Sequence, residues 1–270
     1  MSHSKSQAFN TNIYDVIVIG AGHAGCETAL ASARMGCQTL LLTINLDMTG
    51  HMACNPSLGG PGKGHLVREL DALGGEMSRA ADRNLLQVRM LNTRKGPAVQ
   101  ALRAQIDKLS YQKTIRLALE REPNLTIRED MVEQVIAKDS AIQGVIGRSS
   151  AAYACKALVI CTGVYLDSKI YLGNHSYSAA PGSLTPSENL VKSLQNEGLR
   201  FERFKTDTPP RVYKRSVDFS SLTPVHGDQD AKGFSIATKH VPDNQVPCWM
   251  TYTNPETHQI IRDNLSQTPN

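Results

Sequence analysis

The sequence predicts an α/β protein built on a parallel βαβ unit, and three observations carry that prediction. Residues 14–44, YDVIVIGAGHAGCETALASARMGCQTLLLTI, hold two continuous apolar runs, Val16–Ile19 and Thr39–Leu42, flanking a segment of helical character from Ala24 to Met35. Continuous apolar strands are those buried on both faces, as in parallel sheets. A glycine turn joins the first strand to the helix, and Gly36 ends the helix where a left-handed cap is cheap. After Asn124 the apolar period changes to two, so that LTIRED, VEQVIAKD, AIQGVIGR and YACKALVICTG read as short strands, most of them joined by turns.

The turn itself, Gly20-Ala21-Gly22-His23-Ala24-Gly25, fits the G-x-G-x-x-G pattern in the context that gives it meaning, after a strand and at the start of a helix. Gly20 permits the tight turn, Gly22 lets backbone approach a pyrophosphate, and Gly25 allows close helix–strand packing. The helix N-terminus then offers amide donors and a positive dipole end to phosphates. A β-meander follows and returns to an apolar strand ending in Thr162-Gly163, which either lies against a cofactor or turns the chain. This order is that of a Rossmann-like FAD-binding fold of the glutathione-reductase type. The acidic residue that often grips the ribose is missing from the end of the second strand, where Thr43, Ile44 and Asn45 stand and Asp47 follows.

Elsewhere, His65–Ser78 is predicted to be helical. Val99–Glu120 is predicted as a longer helix, with Leu102, Ile106, Leu109, Ile115 and Leu119 at helical spacing and Pro123-Asn124 as its stop. NHSYSAAPGSLTPS, from Asn174, reads as loop, Glu188–Gln195 as a short helix, and the chain beyond KTDTPPRV as strand- and turn-rich. The expected organisation is a disordered tail at 1–13, an FAD-binding domain at 14–203, and the start of an inserted α/β domain at 204–270.

Composition narrows the function. No apolar run approaches the roughly 18 residues of a membrane span, and the polar N-terminus lacks the apolar core of a secretory signal. Cytoplasm is the expected location. The six cysteines form no CxxC pair, and His23, His51 and His65 have no metal-ligand spacing, so no metal site is expected. The net charge is +4, but Arg79–Arg121 holds ten basic residues against Asp82, Asp107 and Glu120, a window of +7. Such a window is either a solvated helix face or a polyanion-binding face.

One block remains, HMACNPSLGGPGKGHLVRELDALGG from His51. It is not a Walker A loop, because Ser57 stands where that motif needs glycine and Gly64 where it needs Ser or Thr. Its cysteine, Cys54, stands about where flavin-dependent disulfide reductases carry a cysteine pair, but the next cysteine is Cys155. Dithiol chemistry is disfavoured; a single thiol near a flavin and a buried inert cysteine both remain open.

Taken together, YDVIVIGAGHAG, CNPSLGGPGKGHLVRELDALGG, NTRKGPAVQALRAQIDK, ALVICTGVYLDSKIYLG, KTDTPPRV and VPCWMTYTN resemble the MnmG (GidA) family of FAD-dependent enzymes that modify the wobble uridine of tRNA. The resemblance implies FAD contacts at Gly20, Ala21, Gly22, His23, Ala24 and Gly25, at Val132 in the meander and at Ser187 in the TPS loop; Thr162 and Gly163, at the strand end, join them as candidates from the sequence reading above. It gives Cys54 a catalytic role, as one of two functionally implicated cysteines. It implies methylene-tetrahydrofolate as one-carbon donor, NADH as reductant, an MnmE-type GTPase as partner, a homodimer, and no membrane association. The basic window then faces tRNA phosphates, with Arg94, Lys95 and Arg103 as candidate contacts. Two departures stand out: Asp207 replaces the glycine of Lys-Thr-Gly-Thr-Pro-Pro-Arg, and Ser178-Ala179-Ala180 replaces Ser-Gly-Gly. Family members are more than twice as long, so the chain is expected to be an N-terminal fragment. The alternatives are a folate- and FAD-dependent tRNA uridine-C5 methyltransferase and an inactive truncated FAD-binding fragment.

Overall fold

The structure is a computed structural model that describes residues 12–267. The expected tail at 1–13 lies outside the described residues except for Asn12 and Ile13, and Ile13 already opens the first strand. In chain order the elements are β1 (Ile13–Ile19), α1 (His23–Arg34), β2 (Thr39–Thr43), β3 (Ser57–Gly59), α2 (Gly64–Ala72), α3 (Met77–Arg83), β4 (Leu85–Leu91), β5 (Ala101–Ile106) and α4 (Lys108–Glu120). There follow β6 (Leu125–Glu129), β7 (Val132–Lys138), β8 (Ala141–Gly147), β9 (Ala152–Ile160), β10 (Lys169–Leu172), β11 (His175–Ser178), α5 (Glu188–Asn196), β12 (Thr223–Val225), β13 (Cys248–Met250) and α6 (Pro255–Asp263). Among the described residues no helix is long and apolar enough to cross a membrane.

The chain divides into two units by its contacts. The first comprises the described residues through His51, then Gln112–Ile170 and Ser176–Glu202. Its sheet has the order β6-β2-β1-β9-β8-β7. The pairs β6–β2, β2–β1 and β1–β9 are parallel, and β9–β8 and β8–β7 are antiparallel. This is the predicted combination of a βαβ unit with a meander, and β9 joins the two parts by pairing with β8 at its start and β1 along the rest. The wholly buried TLLLT of β2 reflects a strand covered on both faces. On one face Ile17, Ile19, Leu40, Leu42, Val132, Val145 and Tyr153 form a core with Leu190 and Leu194 of α5. α1 covers strands β1 and β2 with Cys26, Ala29, Leu30 and Ala33. Each fully buried Ile or Leu contributes about 1.5–3 kcal/mol.

The second unit comprises Met52–Tyr111, Tyr171–His175 and the chain from Arg203 onward. Its main sheet, β3-β5-β4, is antiparallel. Leu58, Val88, Leu102, Ala104 and Ile106 are buried in it, and so is Phe234 from the distal segment. Polar groups hold that segment down. Asp82 of α3 accepts from the backbone N–H of Phe234 and Ser235 and from Thr238 Oγ1, and Asp71 of α2 accepts from Ile236 N–H. Gln87 of β4 donates to the carbonyls of Val225 and Val246. These links are why residues 52–111 cluster with the distal segment, although sequence continuity assigned them to one domain spanning 14–203.

Other expectations need correction. The single helix over Val99–Glu120 is instead β5 followed by α4. Leu102, Ala104 and Ile106 are buried at period two with Arg103 exposed between them, whereas Leu109, which completed the helical spacing, is exposed. Asp107 marks the true helix start, its Oδ1 accepting from the N–H groups of Leu109 and Ser110. The helical region His65–Ser78 is two helices parted at Gly74-Gly75. His175–Ser178, read as loop, is the short β11. Among the described residues beyond 212 the strands are β12 and β13, and α6 is a helix absent from the expectation. Its signal was legible: Asn254 caps it by accepting from Thr257 N–H, and Pro255 is its first residue.

Candidate functional site

The parallel strands end together, with Ile19 opposite both Leu42 and Ile160. Ligands of open α/β sheets bind outside such carboxyl ends. Gly20 turns the chain there with φ +99°, and its N–H donates to Leu42 O at 2.8 Å. A Cβ on Gly20 would lie 2.5 Å from Cys161 O, and one on Gly25 would collide with Gly20 O. These two glycines are required by packing within the protein. Gly22 differs, because a Cβ there meets nothing within 4 Å. It precedes α1, which has no side-chain cap and no acidic residue in its first turn. Open space at an uncapped helix N-terminus fits an anion approaching the backbone, and so fits the pyrophosphate of a dinucleotide.

The other expected cofactor contacts of this unit converge by hydrogen bonds. Cys161 N–H donates to Ile19 O at 2.8 Å, which carries the chain into Thr162 and the single helical turn Gly163–Tyr165. Tyr165 O accepts from Ser187 N–H at 2.9 Å, and Ser187 Oγ donates to Val132 O at 3.0 Å. Tyr165 N–H donates in turn to Thr162 O at 3.1 Å, so Thr162-Gly163, Ser187 and Val132 are linked through the backbone of Tyr165, which has no sequence signal of its own. At the end of β2, Asn45 Oδ1 accepts from Asp47 N–H, and Glu129 accepts from Leu46 N–H.

His23 is the first residue of α1. Burial, and secondarily the charge of His51, holds its imidazole below the ordinary value of 6.5. The unfolded chain therefore takes up a proton at this position as the pH falls through 6.5, before the folded chain does. Its contribution to stability is fully present above that value and is lost on further acidification. The melting temperature is expected to fall between about pH 7.5 and about pH 5.5, and by less in His23→Gln. Equal falls in the two proteins, measured by calorimetry, would exclude His23 as a cause.

Cys54 lies in the second unit, half-buried, just before β3. Its Sγ donates to Asp207 O at 3.1 Å and accepts from Asn55 Nδ2 at 3.9 Å. Arg211 Nη2 donates to the carbonyls of Cys54 at 2.7 Å and Ala53 at 3.3 Å. KTDTPPRV is therefore the segment that holds the thiol loop, a role no local pattern announces. The glycines beyond Cys54 form a turn from β3 into α2, and a Cβ on Gly59, at φ +85°, would strike the Phe234 ring. In contrast, Cys26 and Cys155 are buried, and desolvation pushes their thiols up to about 12 and about 11.

The family model described as glucose inhibited division protein A, GIDA, matches residues 15–270. The chain belongs to the GidA family. It is 54% identical over 256 residues to the tRNA uridine 5-carboxymethylaminomethyl modification enzyme MnmG of Bacillus subtilis, covering 95% of this chain and 41% of that protein. It is 52% identical to MnmG of Bacillus licheniformis over the same share of each chain. The solved structure of Aquifex aeolicus GidA in its form II crystal superposes with a TM-score of 0.90 at 42% identity, over 97% of this chain and 44% of that one. The chain thus spans about two fifths of the length of these GidA-family relatives.

Against this background the two departures cause no strain. Asp207 is not among the residues with positive φ, so the left-handed backbone that a glycine there would suit is not used. Ala179 and Ala180 are buried, Ala179 O accepts from Ser168 Oγ, and Ala180 N–H donates to Leu184 O. The basic window of this GidA-family chain is not one helix face. It runs through α3, β4, β5 and α4, and is divided between the two units. Arg83 pairs with Glu76, Arg89 with Asp228, and Arg116 with Asp47 and Glu120. Arg94 and Lys95 lie exposed between β4 and β5 and have no ion-pair partner among the described residues. Arg103 is exposed on β5, its Nη2 donating to Ser57 Oγ at 3.4 Å.

Proposed function

We propose that this chain is the FAD-binding part of an enzyme that modifies C5 of the wobble uridine of tRNA. With an MnmE-type GTPase it would add a carboxymethylaminomethyl or aminomethyl group. One observation carries the reading. The open, uncapped turn at Gly22, suited to a pyrophosphate, lies in a chain 54% identical over 95% of its length to a protein named for this modification.

Gly20–Gly25 would hold the pyrophosphate, with Thr162, Gly163, Val132 and Ser187 around the rest of the cofactor. When bound, FAD supplies two-electron transfer for the one-carbon step, with NADH as reductant and methylene-tetrahydrofolate as carbon donor. The chain's own residues do the remainder. The α1 N-terminus offsets phosphate charge, and the Cys54 thiol is offered to the substrate. Arg94, Lys95 and Arg103 neutralise tRNA phosphates, which makes affinity fall with salt. In the full-length protein a homodimer is expected, and the substrate places the work in the cytoplasm.

The test is nucleoside mass spectrometry of tRNA from cells lacking the full-length gene, complemented with wild type or Cys54→Ser. Wild type is expected to restore the modified uridine. Cys54→Ser is expected to leave it absent while the purified variant keeps its flavin absorbance. Turnover by Cys54→Ser would return Cys54 to an inert half-buried cysteine.

A further inference from the structure

We propose that Asn55 is a positioning residue for Cys54, holding its sulfur with an amide N–H and so setting the reactivity of the thiol. The proposal rests on the reading of Cys54 as the reacting group. Among the described residues the hydrogen-bond partners of the sulfur are Asp207 O, which accepts its proton, and Asn55 Nδ2, which donates to it. The two partners have opposite effects. The carbonyl favours the thiol, whereas the amide N–H favours the anionic sulfur, which is the nucleophilic form.

The orientation of the amide follows from its surroundings. Asn55 Oδ1 accepts from both Ser57 N–H and Ser57 Oγ. Two donors on that atom fix it as oxygen, so the Nδ2 end faces Cys54. The hydroxyl of Ser57 also accepts from Arg103 Nη2 at 3.4 Å, which makes it a donor to Asn55. A chain of hydrogen bonds thus runs from the thiol through Asn55 and Ser57 to the Arg103 guanidinium. Two charged side chains bond to this loop: Arg211 to the carbonyls of residues 53 and 54, and Arg103 to Ser57 Oγ.

Alkylation by iodoacetamide reads out this arrangement directly. The sulfur forms a C–S bond as the C–I bond breaks, iodide leaves, and the thiol proton passes to solvent. The rate at Cys54 is measured by peptide mass spectrometry in the 270-residue chain at fixed pH. Asn55→Asp keeps an oxygen acceptor for Ser57 and changes the atom facing sulfur from donor to anionic acceptor. It is expected to slow Cys54 about tenfold, and Asn55→Ala about threefold. A purely structural role predicts the reverse order, since Asp preserves the Ser57 bonds and Ala does not.

Buried Cys26 and Cys155 serve as internal controls for unfolding of the first unit, and the fluorescence of Trp249, the one tryptophan of the sequence, reports unfolding of the unit that holds Cys54. An Asn55→Asp rate within twofold of wild type, with both cysteines protected and the Trp249 fluorescence unchanged, overturns the proposal. If Asn55→Asp unfolds, Ser57→Ala replaces it. That variant removes one of the two donors orienting the amide and is expected to slow Cys54 about threefold, and an unchanged rate again overturns the proposal. These rates do not depend on tRNA modification, so failure here is distinct from failure of Cys54→Ser to abolish the modified uridine.

Discussion

Gly25→Ala is expected to destabilise the first unit by about 3 kcal/mol or more. That corresponds to a loss of roughly 6–12 °C in melting temperature for a unit of this size. The reason is local: a methyl group at Gly25 would occupy the position of the Gly20 carbonyl oxygen. Relieving that overlap means moving α1 away from the end of β1, and with it the Gly20–Cys161 contact that closes the turn. Gly22→Ala separates folding from binding. Its methyl group enters open space at φ −72°, where any residue is comfortable, so stability is expected to change by no more than about 1 kcal/mol. The same methyl group stands where a pyrophosphate would approach, so reconstitution with FAD is expected to fail. Calorimetry and flavin absorbance on both variants decide the matter. A Gly22→Ala protein that retains flavin would remove the basis for placing the phosphates at this turn.

Asp82→Ala carries the second large effect, in the other unit. Asp82 is buried and accepts from two backbone N–H groups at 2.9 Å and from Thr238 Oγ1 at 2.6 Å. Removing the carboxylate leaves these buried donors without an acceptor, at an expected cost of about 3–5 kcal/mol. Asp82→Asn retains the shape and one oxygen, and about half that loss is expected. The released segment includes Phe234, whose ring packs at Gly59 in the turn beyond Cys54. Urea unfolding measures the loss, and limited proteolysis in the Gly227–Thr238 stretch reports where it falls. A midpoint within 1 kcal/mol of wild type would mean that the segment is held by the Phe234 side chain alone.

The legible parts of this chain are those in which neighbouring residues carry the decision. β1, α1 and β2 follow from apolar runs and a glycine turn within about thirty residues, and the meander from period two and turns. The α5 prediction likewise lies within one residue of the observed helix end. Reading failed where the helical and strand periods overlap. Leu102 and Ile106 are four apart, which suits a helix, yet Ala104 between them is buried and Arg103 exposed, which only a strand accommodates. The Asp107 cap was available to break the tie.

The candidate site divides along the same line. By itself the sequence determined the glycine turn at Gly20–Gly25 and excluded a Walker A loop, because both depend on glycines and a lysine at fixed short spacing. It also singled out Cys54. Tertiary structure decided what holds that thiol. Asp207 lies 153 residues away from Cys54 and contributes a backbone carbonyl, which every residue type possesses. Arg211 likewise acts on carbonyls, and Asp82 on amides. Bonds made to main-chain atoms leave no residue-type signature at the partner position, so only the folded chain reveals them.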